Sequence, residues 1–113
     1  MTLTTEELDI VNDVGAAELD EVLEQDGFGK FAILNHTEQE FIQAGNDWQL
    51  NEACRAFIDA HDSDPWVLEY REAEQQFRAV GWVTLGQVRQ AFQSYLAGES
   101  EWRTGFAWVK LEL

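Results

Sequence analysis

Cysteine, proline, histidine and basic residues are all scarce in this 113-residue chain, and each scarcity excludes something. Cys54 is the single cysteine, so no intramolecular disulfide forms, and no CxxC or Cys/His cluster exists to hold zinc. A lone cysteine in an apolar stretch reads as a small core residue. Seven Lys and Arg stand against 22 Asp and Glu, a net charge of −15. Phosphate contacts need Lys and Arg, so nucleic acid is disfavoured as a partner, and an anionic membrane surface for the same reason. No segment approaches the ~20 apolar residues that span a bilayer. Met1 to Asp13 has acids, no base and no unbroken apolar run, which is not the pattern of a signal peptide. The expectation is a cytoplasmic protein.

What is present is ample material for a core: 45% hydrophobic residues, 12% aromatic, five tryptophans. A chain of this length fits one domain, 1–113, that buries roughly two thirds of its unfolded surface. The charge is unevenly spread. Residues 1–65 carry 16 acids and two bases, Lys30 and Arg55; residues 66–113 carry six acids and five bases. Such a field steers a basic protein partner toward the front of the chain. The plainer alternative is a solvated acidic face that keeps the protein soluble.

Residues 4–26 admit two readings. Thr4-x-x-Glu7 resembles a capping box that starts a helix at once. Alternatively Leu8–Val11 is a short strand and Asp13 caps a helix running to about Gln25, with Val14, Ala17, Val22 and Leu23 inward. Gly15 weakens a continuous helix and favours strand then helix. Phe31–Asn35 and Phe41–Ala44, split by His36-Thr37-Glu38-Gln39, predict a hairpin, with Gly45-Asn46-Asp47 breaking the second strand. Leu50, Ala53, Cys54, Phe57 and Ile58 recur at helical spacing over 48–60, and His61–Pro65 closes that helix. Trp66–Arg71 alternates, with Trp66, Leu68 and Tyr70 on one side, and Gln76–Val80 answers it as a second hairpin. Thr84-x-x-Gln87 is a capping box with Val83 and Val88 as a hydrophobic staple. Leu85, Val88, Phe92, Tyr95 and Leu96 make one stripe that Gly98 ends. Thr104–Leu113 reads as a strand, apolar on both sides and so central or covered. The expected fold is α+β: a mainly antiparallel sheet of about six strands with two to three helices, in the order β-α-β-β-α-β-β-α-β.

No catalytic constellation emerges. His36 has no evident partner. His61-Asp62-x-Asp64 has too few oxygen ligands for a calcium loop, and proline follows where glycine is needed. Ser63, Ser94 and Ser100 lack a nucleophile-elbow context. Gly27-Phe28-Gly29-Lys30 precedes a strand rather than a helix and lacks the Ser/Thr of a P-loop. Glu40 and Glu69 are the acids in or beside strands; both read as exposed, with Glu69 placed to pair with Arg78 across its hairpin. Trp48, Trp82 and Trp102 stand at element ends beside polar residues, where tryptophan serves as a contact residue.

Val83-Thr84-Leu85, Val88, Ala91-Phe92, Tyr95-Leu96, Gly98, Trp102 and Phe106-Ala107-Trp108 resemble the ending of many small bacterial proteins, among them immunity proteins of polymorphic-toxin systems. Phe41-Ile42-Gln43-Ala44-Gly45 and Val67-Leu68-Glu69-Tyr70-Arg71 resemble a related group. The resemblance covers about half the chain, mostly at core positions, and implies a non-enzymatic protein that binds and blocks a toxin; it carries over no catalytic residue. With the charge asymmetry, it gives the leading expectation: an acidic binding module for a basic toxin or nuclease, contacting it through Asp13, Glu18, Glu21, Glu24, Trp48, Asp62 and Asp64, with no catalytic residue, metal or cofactor. The alternatives are a homo-oligomer, a dimer at its simplest, joined by exposed tryptophans, and a small-molecule binder.

Overall fold

A computed structural model describes residues 1–24, 26–46 and 51–111. Six strands form one sheet in sequence order: β1 (Thr2–Thr5), β2 (Phe31–Thr37), β3 (Glu40–Asn46), β4 (Trp66–Glu72), β5 (Gln75–Ala79) and β6 (Trp108–Lys110). Every neighbouring pair is antiparallel. The helices are α1 (Ala16–Leu23), α2 (Glu52–His61), α3 (Leu85–Leu96) and the short α4 (Glu101–Thr104). The α+β class, the antiparallel sheet and the element order are those the patterning predicts, with α4 added.

Alternation explains the sheet. Leu3, Leu34, Ile42, Tyr70 and Phe77 face each other along one row, and Ala32, Ala44, Leu68 and Ala79 occupy the same face one step away. Onto this inner face pack Leu19 and Leu23 from α1 and Val88, Ala91 and Phe92 from α3. Each fully buried large apolar side chain contributes about 1.5–3 kcal/mol. The two helices run antiparallel: the Gln93 side-chain amide donates to Ala16 O at 2.8 Å, and Arg89 pairs with Asp20 at 2.7 Å.

Helix α3 begins as its sequence dictates. The Thr84 hydroxyl accepts from Gln87 N–H at 3.0 Å, and Gln87 Oε1 accepts from Thr84 N–H at 2.8 Å. Gly98, at φ +75°, follows its end. Helix α2, capped by Asn51, ends at Asp62 in the left-handed region. It sits where β3 ends and β4 begins, with the Phe57 ring 5.4 Å from that of Trp82. Gly81 lies beneath Phe57 at φ +79°, and a Cβ there would stand 2.4 Å from the ring.

Several expectations are corrected. The first strand is Thr2–Thr5, not Leu8–Val11; the later segment returns to it through a single bridge, Leu3 with Val11. Asp13 takes φ +50° ahead of the helix, and Gly15 is the N-cap, its N–H donating to Glu18 Oε1 at 3.3 Å. Leu19 is buried where Ala17 was expected; Ala17 is exposed. Gly45 and Asn46 lie inside β3 rather than breaking it. In α2, Cys54 is buried as a core residue and Ala53 is exposed. Residues 47–50, with Leu50 of the expected helix and Trp48, lie outside the described residues. The strand expected over Thr104–Leu113 is shorter: Thr104 ends helix α4, in which Trp102 N–H donates to Ser94 Oγ at 3.2 Å, and among the described residues the strand is Trp108–Lys110, paired with β5 alone. That strand is therefore an edge.

Candidate functional site

Of the partner-contact residues named from the sequence, the six that lie among the described residues fall on two stretches. Asp13 lies in the left-handed turn before α1, Glu18 and Glu21 on α1, and Glu24 is its C-cap. Asp62 caps α2 and Asp64 follows in the turn before β4. All six are exposed. Because α1 and α3 are antiparallel, the Glu24 end of α1 lies beside the start of α3, where Asp64 Oδ2 accepts the Leu85 N–H at 3.0 Å. Among the described residues, none of the six is in an ion pair; the pairs are Arg78–Glu69, Arg89–Asp20 and Arg103–Glu72. Trp102 is not a contact residue. It is buried in an aromatic cluster, 4.8 Å from Tyr70 and 5.2 Å from Tyr95. Trp82 is half-buried against Phe57.

A second site was not expected. On the outer face of the sheet, away from α1 and α3, Thr4, Ile33, Gln43, Glu69, Arg78 and Val109 form one row across all six strands. Glu69 is only 8% exposed, which corrects its reading as a solvent-facing acid. Its Oε1 accepts from the side-chain amides of Gln43 (2.8 Å) and Gln76 (2.9 Å), and its Oε2 from Arg78 Nε (2.7 Å). A second Arg78 nitrogen closes on Oε2 at 2.7 Å. A buried carboxylate is tolerated only when so saturated.

Around this centre lie Phe31, Ile33 and Val67, lining with it a groove of about 540 Å³. Gly45 sits between Phe31 and Val67 in the adjoining row. A Cβ there would meet nothing closer than Lys30 O at 3.9 Å, so the missing side chain deepens the groove. The sequence signal was the Glu69–Arg78 cross-strand pair. What it did not disclose was that Gln43 and Gln76, from two other positions, converge on the same carboxylate.

His61 Nδ1 lies 3.0 Å from Phe57 O and its ring stacks on Phe57 at 4.1 Å. Burial, with Glu40 nearby, pushes the Tyr95 hydroxyl up to about 12. Among the described residues no group of three or more His, Cys, Asp or Glu is gathered to hold a metal ion, and no helix is long and apolar enough to cross a membrane. Comparison with protein-family models, with curated proteins and with solved structures gives no match.

Proposed function

We propose that the chain is a non-enzymatic protein-binding module of the immunity type, whose acidic side, along α1 and the turn after α2, covers a basic surface on a toxin or nuclease. The observation that carries the reading is the set of six exposed carboxylates, Asp13, Glu18, Glu21, Glu24, Asp62 and Asp64, outside the ion pairs formed among the described residues. In the C-terminal half, by contrast, Arg78 and Arg103 neutralise Glu69 and Glu72. Two of the six stand where they cost stability. Glu21 lies in the last turn of α1 and Glu24 at its C-cap, with no basic residue there to offset the negative end of the helix dipole.

The test is capture of a basic partner from the native host by immobilised protein at low and high salt, repeated with the Glu21→Lys/Glu24→Lys variant. The reading expects a basic protein retained at low salt, released at high salt and lost with the variant. Failure to recover a basic protein, or retention indifferent to salt, sinks it.

A further inference from the structure

We propose that the outer face of the sheet is a homodimer interface, on which a second copy of this chain packs sheet against sheet. An antiparallel sheet that leaves one face to water usually presents polar side chains there. This face instead carries Phe31, Ile33, Phe41, Val67, Val80 and Val109 on the strands and their ends. Phe31 is 37% exposed, Val80 58% and Val109 55%. These are three of the five exposed large hydrophobic residues among those described, the others being Leu8 and Ile10.

The charge on this face selects the occupant. Its strand residues include one acid, Glu69, and two bases, Arg71 and Arg78, in a chain of net charge −15. A basic toxin finds no attraction here. A two-fold interface brings the same patch against itself, so the patch must be self-complementary. Here Glu69 and Arg78 neutralise each other within each copy, so the apolar residues around them can meet their counterparts without setting like charges together. The acidic side of α1 would set carboxylate against carboxylate.

The area is of the right order. Six strands spaced ~4.8 Å apart and up to seven residues long at ~3.3 Å each give a face of about 24 by 23 Å. That is about 550 Å² in projection, before side-chain relief is counted, against the ~800 Å² per partner of a standard interface. The hollow over Gly45 accepts a protruding side chain of the facing sheet.

This inference stands independently of the partner reading above, and the two respond to salt in opposite directions. Salt screens the mutual repulsion of two −15 chains and strengthens the dimer, whereas it weakens attraction to a basic protein. The experiment is sedimentation equilibrium of the full chain across micromolar concentrations at low and high sodium chloride. The expected species has twice the 13.0 kDa chain mass, with tighter association at high salt. Val80→Lys with Val109→Lys, at exposed positions that leave the fold intact by circular dichroism, is expected to weaken the dimer at least about tenfold. Ile10→Lys, off the sheet, leaves it unchanged. Should the double variant fail to fold, hydrogen exchange of the wild-type chain replaces it, with protection of β4 and β5 amides rising with protein concentration. A monomer at every salt and concentration overturns the proposal. So does a dimer indifferent to the double variant, or one equally weakened by Ile10→Lys.

Discussion

Glu69 on β4 and Arg78 on β5 stand directly opposite each other, and two guanidinium nitrogens converge on one carboxylate oxygen at 2.7 Å. Glu69 is nearly sealed from water while Arg78 remains about half exposed, so losing the arginine is felt mainly by the acid. Arg78→Ala is expected to cost about 1–3 kcal/mol by urea denaturation, as a buried carboxylate loses its counter-ion. Replacing both residues with leucine is expected to recover most of that loss. A single variant as stable as the wild type would show that Glu69 is not held by this pair.

Gly81 and Gly98 share a left-handed backbone but not their surroundings. A Cβ on Gly81 collides with the Phe57 ring, while one on Gly98 meets nothing within 4 Å. Gly98→Ala is therefore expected to cost only the backbone strain, about 1 kcal/mol, and Gly81→Ala measurably more. Adding Phe57→Ala to Gly81→Ala should bring back part of the difference. Equal melting temperatures for the two glycine variants would contradict the contact.

Removing the Thr84 hydroxyl leaves the start of α3 without one of its two reciprocal bonds. Thr84→Ala is expected to lower stability by about 1 kcal/mol, read from the midpoint of chemical denaturation. Thr84→Ser should be close to neutral.

At the other helix, stability and the proposed binding role pull apart. Glu24→Lys places a cation at the negative end of α1 and is expected to raise stability by about 0.3–1 kcal/mol at low salt. The same change is expected to weaken capture of a basic partner. A loss of both stability and binding would point to a structural role for Glu24.

The Tyr95 hydroxyl ionises near 12 in the fold against 10.0 for an unburied tyrosine. A raised value means the folded chain keeps its proton while the unfolded chain gives it up. This stability is complete below the unfolded value and is lost as pH climbs from 10 toward 12. The urea midpoint should fall across that interval, and Tyr95→Phe should fall less steeply. Phenolate absorbance tracks the same titration. Parallel falls for both proteins would place the ionisation elsewhere.

The parts of the fold carried by local pattern are legible in the sequence. Alternation in Trp66–Arg71 and the box at Thr84 and Gln87 each name an element without help from the rest of the chain. The N-terminal strand is hidden because Thr2–Thr5 holds one apolar residue, Leu3, while the apolar Leu8 and Ile10 nearby remain exposed. Four helical residues at Glu101–Thr104 are too few for a period to show, so Trp102 reads from sequence as a contact residue at an element end rather than as part of the core. Glu69 illustrates the deeper limit. Its burial depends on Gln43, 26 positions earlier, arriving in register through β3, and no window on the sequence contains both. The six acids from Asp13 to Asp64 are legible individually, but which carboxylates the arginines take is not: among the described residues the ion pairs use Asp20, Glu69 and Glu72 instead.

The strand order runs without a single crossover, so each strand hydrogen-bonds the one made just before it. Every ladder joins strands that are neighbours in sequence, so each can close as soon as its second strand is free, which favours rapid folding and keeps unpaired edges brief. β6 is the last to arrive, and it brings the Trp108 indole edge-on to Tyr70 at 4.7 Å and to within 6.3 Å of Trp102. The tryptophan emission of a nascent chain should therefore change late, marking the moment the sixth strand seats.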